Sequence, residues 1–96
     1  MGDAGALTVR EATLVIRNQQ GMHARACQVF VRAASRFRSK IVVGRDDLEV
    51  DGKSILGVLM LAAEPGAEIR IRAEGVDEAE ALEAMRQIVE DKFGEE

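Results

Sequence analysis

The apolar and polar positions divide the chain into seven segments with two different periods. Within residues 8–17, Ala12, Leu14 and Ile16 alternate with Thr13, Val15 and Arg17, the two-residue period of a strand covered on one face. After the loop Asn18-Gln-Gln-Gly21, Cys27, Phe30, Val31, Ala34 and Phe37 recur at spacings of three and four, which predicts a helix over residues 24–37. Ile41-Val-Val43 and Leu48-Glu-Val50 flank the turn-rich Gly44-Arg-Asp-Asp47 and predict a hairpin of two short strands. Ser54 is a natural N-cap for residues 55–61, a short helix so apolar that half of it has no evident core to face. Pro65-Gly66 turns the chain, and Ile69, Ile71 and Ala73 then alternate with Glu68, Arg70, Arg72 and Glu74 in a strand ending at Gly75. Asp77 and Glu80 form a capping-box-like start, with Asp in place of Ser or Thr, for a last helix striped by Leu82, Met85, Ile88 and Val89. That helix ends near Phe93-Gly94. The order β-α-β-β-α-β-α, with every strand apolar on one side, predicts an α+β fold in which helices cover one face of an antiparallel or mixed sheet.

With 96 residues, 47% of them hydrophobic, the chain can fill one modest core and not two. A flexible leader over residues 1–7 and a single domain over residues 8–96 are expected. The charge of -4, from 17 acidic and 13 basic residues, offers no general attraction for nucleic acid. No apolar run approaches the length of about 20 residues that crosses a bilayer, and the start lacks the regions of a signal peptide, so a cytoplasmic protein without membrane insertion is expected. Ala6 stands where a myristoylation motif on Gly2 wants Ser or Thr. Cys27 is the only cysteine, which excludes an internal disulfide, and one thiol with one imidazole cannot build a structural zinc site.

The candidate chemistry lies at His23, the only histidine, set just before the first helix. A helix start leaves backbone N–H groups unpaired and carries the positive end of the dipole, so the spot is a ready anion site. There a neutral, nucleophilic imidazole could take a phosphoryl group and find donors to compensate its charge, and a phosphoryl on nitrogen stays easily transferable. Arg25 adds a fixed charge and a planar donor fork two residues on. By position alone, however, His23 is more readily a polar cap. Arg25, Arg32 and Arg36 are spaced by seven and four residues, which puts them roughly along one line of the predicted helix, either to steer acidic partners or as a solvated charge row. Cys27, four residues after His23, lies on the apolar stripe and is expected to be a buried thiol rather than a nucleophile.

The segments Gly21-Met-His-Ala-Arg25, Lys53-Ser-Ile-Leu-Gly57 and Gly66-Ala-Glu-Ile69 keep the order and spacing of the HPr family of the bacterial phosphotransferase system, which the chain resembles over residues 8–90. The resemblance implies an open-faced β-sandwich, a four-stranded antiparallel sheet with three helices on one face. It implies that His23 accepts a phosphoryl group on Nδ1 from phosphorylated enzyme I and passes it to enzyme IIA proteins, with Arg25 supporting the phosphate. Ser54, with Lys53 beside it, matches the serine that an HPr kinase/phosphorylase modifies in part of the family, though a serine there is also a plain N-cap. Ile55 and Leu56 match partner-docking positions, and Ala24, Arg32 and Lys53 are expected to bind partners as well. Such a carrier is a monomer with no metal, no cofactor and no turnover of its own. Two alternatives remain: a regulatory paralogue acting through protein contacts and Ser54, and a small module that holds a free anion. The sequence departs from the family at Ala26-Cys27, where Pro-Ala is usual; Ala26 should be tolerated, with one more N–H and a looser junction.

Overall fold

The computed structural model describes residues 9–95, so the leader expected over residues 1–7 lies outside the described residues. The elements are β1 (Val9–Val15), α1 (Ala24–Ala34), β2 (Lys40–Arg45), β3 (Leu48–Asp51), α2 (Ile55–Met60), β4 (Glu68–Glu74) and α3 (Glu78–Glu90), followed by a 3-10 turn at Lys92–Gly94. The four strands form one antiparallel sheet in the order β1-β4-β2-β3. The register sets Leu14 against Ile69, and Ile71 between Ala12 and Val43. One face therefore gathers the buried Leu14, Ile41, Val43, Ile69, Ile71 and Ala73 under Phe30 of α1, Val58 of α2 and Met85 and Val89 of α3. The other face is polar: Arg72, opposite Glu11, pairs with Glu49 at 3.4 Å. The alternation thus produces an open-faced sandwich, with three helices on the apolar side. Among the described residues no helix is long and apolar enough to cross a membrane.

Three local expectations are corrected. First, α1 stops at Ala34 rather than Phe37. Tertiary bonds capture the chain beyond it: Lys53 Nζ donates to the Phe37 carbonyl at 2.7 Å, and the N–H groups of Arg38 and Ser39 go to Asp77, both at 2.9 Å. Phe37 still packs on the core, and Arg36 lies just past the helix, where it stays beside Arg32. Second, the hairpin turn is only Asp46 and Asp47, with Asp46 at φ 53, while Gly44 and Arg45 are in β2. The Arg70 guanidinium crosses the sheet over Gly44, 2.7 Å from where a Cβ would lie.

Third, Asp77 does not cap α3 with its side chain. Its carboxylate instead accepts from the Ser39 hydroxyl and from two N–H groups, tying the entry of β2 to the start of α3, while Glu78 accepts from Gly75 N–H at 3.0 Å. The Ser39 hydroxyl, then the Arg38 N–H, hold the Asp77 carboxyl below its ordinary value. A carboxyl depressed in the fold stabilises above its unfolded pKa, and that contribution is lost as pH falls through the folded one. Asp77→Asn is therefore expected to be less stable than the parent at neutral pH, with the gap narrowing below the ordinary aspartate range of about 3.9. Urea unfolding at neutral and acid pH measures it, and a gap that widens in acid contradicts the ionic clamp.

Candidate functional site

The site is built by the segment between β1 and α1. Asn18 is buried, and its amide donates both to the Gly21 carbonyl at 2.7 Å and to Glu95 Oε1 at 2.9 Å. Gly21 turns the chain at φ 67, where a Cβ would fall 2.6 Å from the Ala63 carbonyl oxygen. That same oxygen accepts from Met22 N–H at 2.9 Å, which seats the loop on the segment after α2. Arg45 braces this segment from β2, donating to the carbonyls of Leu61 and Ala62 and pairing with Glu64 at 2.7 Å.

His23 follows as the N-cap of α1, with φ -74 and ψ 178 and no side-chain capping bond. Its carbonyl accepts the first helical bond, from Cys27 N–H at 2.9 Å. The N–H groups of Ala24, Arg25 and Ala26 therefore open the helix without intrahelical partners. The helix starts at Ala24 although Ala26 stands where the family usually has proline, so the substitution leaves the start in place and contributes one further N–H.

The imidazole is half-buried, and its Nε2 lies 2.5 Å from Glu95 Oε2. Glu95 reaches it because the chain turns sharply after α3: Lys92, Phe93 and Gly94 have φ of 59, 56 and 77, and Phe93 is buried in the core. Gln19, Gln20, His23, Arg25 and Glu95 line a hollow of about 310 Å³ at the helix start. The Asn18 amide, followed by the contact with His23 and the charge of Arg25, holds the Glu95 carboxyl below its ordinary value. Arg25 is exposed and, among the described residues, in no ion pair, so its guanidinium is uncommitted. The arrangement can hold an anion, and it leaves Nδ1 of the ring without a capping bond.

The other predicted residues divide between this hollow and the neighbouring surface. Ala24 is exposed in the first turn of α1. Arg32 lies in its last turn, beside Arg36 and Ile88, away from His23. Ser54 caps α2, accepting from Gly57 N–H at 3.1 Å, and Lys53 is committed to the Phe37 carbonyl. α2 packs on α1 through its buried side and leaves Ile55, Leu56 and Met60 exposed, Leu56 by 71%. Cys27 is buried, donates to the Met22 carbonyl at 3.3 Å, and has its thiol pushed up to about 11 by desolvation, which leaves it a poor nucleophile at neutral pH. Sequence reasoning missed Asn18, read only as loop, and Glu95.

The family model described as the PTS HPr component phosphorylation site matches residues 10–91. The phosphocarrier protein HPr of Treponema pallidum is 45% identical over 84 residues, covering 88% of this chain and 96% of that relative. Its counterpart in a serogroup A strain of Neisseria meningitidis is 43% identical over 83 residues, covering 86% and 93%. Among solved structures, HPr-C-His from Thermoanaerobacter tengcongensis superposes with a TM-score of 0.87 at 44% identity, covering 91% of this chain and 98% of that one. Matched length, identity and fold agree, and the chain belongs to the HPr family, the phosphocarrier component of the phosphotransferase system.

Proposed function

We propose that His23 is the phosphoryl acceptor of this carrier, taking the group on Nδ1 from phosphorylated enzyme I and handing it to enzyme IIA proteins in the cytoplasm. The observation that carries this reading is the ring at the N-cap of α1, beside three unpaired N–H groups and an uncommitted Arg25. The chain acts as a single carrier and turns over no small molecule by itself. The exposed Ile55 and Leu56 serve as the docking face, and Ala24, Arg32 and Lys53 are further partner-contact positions carried over from the family resemblance. Ser54 is the regulatory position, where a kinase would place a phosphoryl on the hydroxyl that now caps α2. The test is incubation with enzyme I and phosphoenolpyruvate followed by peptide mass spectrometry. An acid-labile adduct on the peptide containing His23 is the expected result; its absence overturns the reading.

Arg25 gives a graded check. Removing one preorganised donor from a site of developing charge typically lowers a rate by about 10²–10³-fold. Arg25→Ala is expected to slow phosphoryl acceptance to about that degree in stopped-time assays, with the melting temperature unchanged, because the side chain makes no ion pair among the described residues. Equal loss of rate and stability contradicts a direct role.

A further inference from the structure

We propose that Glu95 is a positioning residue that fixes the tautomer of His23 and so selects the nitrogen that carries the phosphoryl group; the proposal rests on the phosphocarrier reading above. Two hydrogen bonds carry it. The Glu95 carboxylate accepts only, and its Oε2 lies 2.5 Å from Nε2, so Nε2 must hold the ring proton. Nδ1 of the neutral ring then keeps its lone pair, at the end of the imidazole not engaged by Glu95.

The second bond locks the carboxylate itself. The Asn18 amide gives one hydrogen to the Gly21 carbonyl and the other to Glu95 Oε1, and both partners are acceptors, so its NH2 end has to face them. That orientation is kept although it leaves the buried Asn18 Oδ1 without a partner. The two acceptors set which way the amide faces. The backbone makes a matching commitment, because the chain passes through three successive left-handed residues, with Phe93 anchored in the core, to bring Glu95 to the ring.

The chemistry needs no proton transfer at the acceptor. The Nδ1 lone pair attacks phosphorus, the Nδ1–P bond forms, and the bond to the donor breaks with its electron pair staying on the donor atom. His23 becomes a phosphoimidazolium that retains its Nε2–H, and the Glu95 carboxylate faces the new positive charge. On delivery the Nδ1–P bond breaks, its electron pair returns to Nδ1, and the ring is restored to the starting tautomer. Glu95 does not touch the phosphoryl group.

Two variants of the full chain separate orientation from mere structure. In Glu95→Ala the ring is released, and by analogy with partners that orient metal-bound histidines, acceptance should fall about tenfold. In Glu95→Gln the Asn18 NH2 claims the amide oxygen, so the new amide NH2 points at Nε2 and donates to it. The ring proton is driven to Nδ1 and blocks the nucleophile, and this conservative change should be slower than the alanine one. Ring 15N chemical shifts are measured beside initial rates with enzyme I and phosphoenolpyruvate. The expected pattern is Nε2–H in the parent, a mixture in Glu95→Ala and Nδ1–H in Glu95→Gln. If the parent is phosphorylated while Glu95→Gln matches it in tautomer and rate, or is no slower than Glu95→Ala, this proposal alone is overturned. A parent with no phosphohistidine overturns the carrier reading and this proposal with it.

Discussion

His23→Ala is expected to abolish acceptance of a phosphoryl group from phosphorylated enzyme I while shifting the melting temperature by no more than about 5 °C, the effect of roughly 1 kcal/mol in a domain of this size. The two halves of this outcome have different causes. Chemistry is lost because the ring supplies the lone pair, and the other nucleophiles cannot replace it: Cys27 is buried with its thiol at about 11, and the Ser54 hydroxyl is tied to the start of α2. Stability largely survives because backbone bonds and the Asn18 amide seat the helix start, and the ring gives up only its one part-exposed bond, to Glu95. The carbonyl at position 23 still accepts from Cys27 N–H, Met22 N–H still reaches the Ala63 carbonyl, and the ring makes no capping bond whose loss would fray α1. An adduct of undiminished yield on the variant, read by intact-mass spectrometry, would place the acceptor elsewhere and sink the proposed function.

Gly21→Ala should cause the largest loss of stability of any single methyl added to the loop. A non-glycine residue at φ 67 costs about 1–2 kcal/mol, and the displaced bond from Met22 N–H to the Ala63 carbonyl about 1 more. The new methyl cannot be absorbed cheaply, since it meets backbone at 2.6 Å, in a segment that Arg45 holds from the sheet. A total of about 2–3 kcal/mol lowers the melting temperature by about 8–24 °C. Acceptance should fall as well, because the shifted loop carries Asn18 and His23 with it. Gly66→Ala is the control: at φ 91 it also needs glycine, yet a methyl there has nothing within 4 Å. If calorimetry finds the two variants equally destabilised, the seat of the loop on residues 61–65 is softer than the contacts imply.

Period and punctuation made most of the architecture legible. The stripe Cys27, Phe30, Val31 and Ala34 is buried as the spacing requires, Ile69, Ile71 and Ala73 line one face of β4, and Ser54 caps α2. His23 and Arg25 could be singled out because a helix start is a local feature with known chemistry, and both line the same hollow. What could not be read depends on partners far away in the chain. Asn18 and Glu95 meet across 77 positions, and His23 and Glu95 across 72, with no periodicity to connect them. Asp77 carries the right residue type for a cap, but Ser39 and the N–H groups near it compete for the same carboxylate and win. The end of α1 was misplaced for a similar reason: apolar spacing continues through Phe37, while Lys53 and Asp77 divert the backbone hydrogen bonds before it.

The left-handed run at Lys92, Phe93 and Gly94 bears on how this protein could be engineered. Lys92 and Phe93 each hold a conformation about 1–2 kcal/mol above the right-handed one, so the turn is a reserve of latent thermostability. Letting α3 run on through these positions would relax them, but it would pull Phe93 from the core and carry Glu95 away from the imidazole. Glycine at position 92 instead relieves one strained residue while keeping the turn, the buried Phe93 and the contact of Glu95 with the ring.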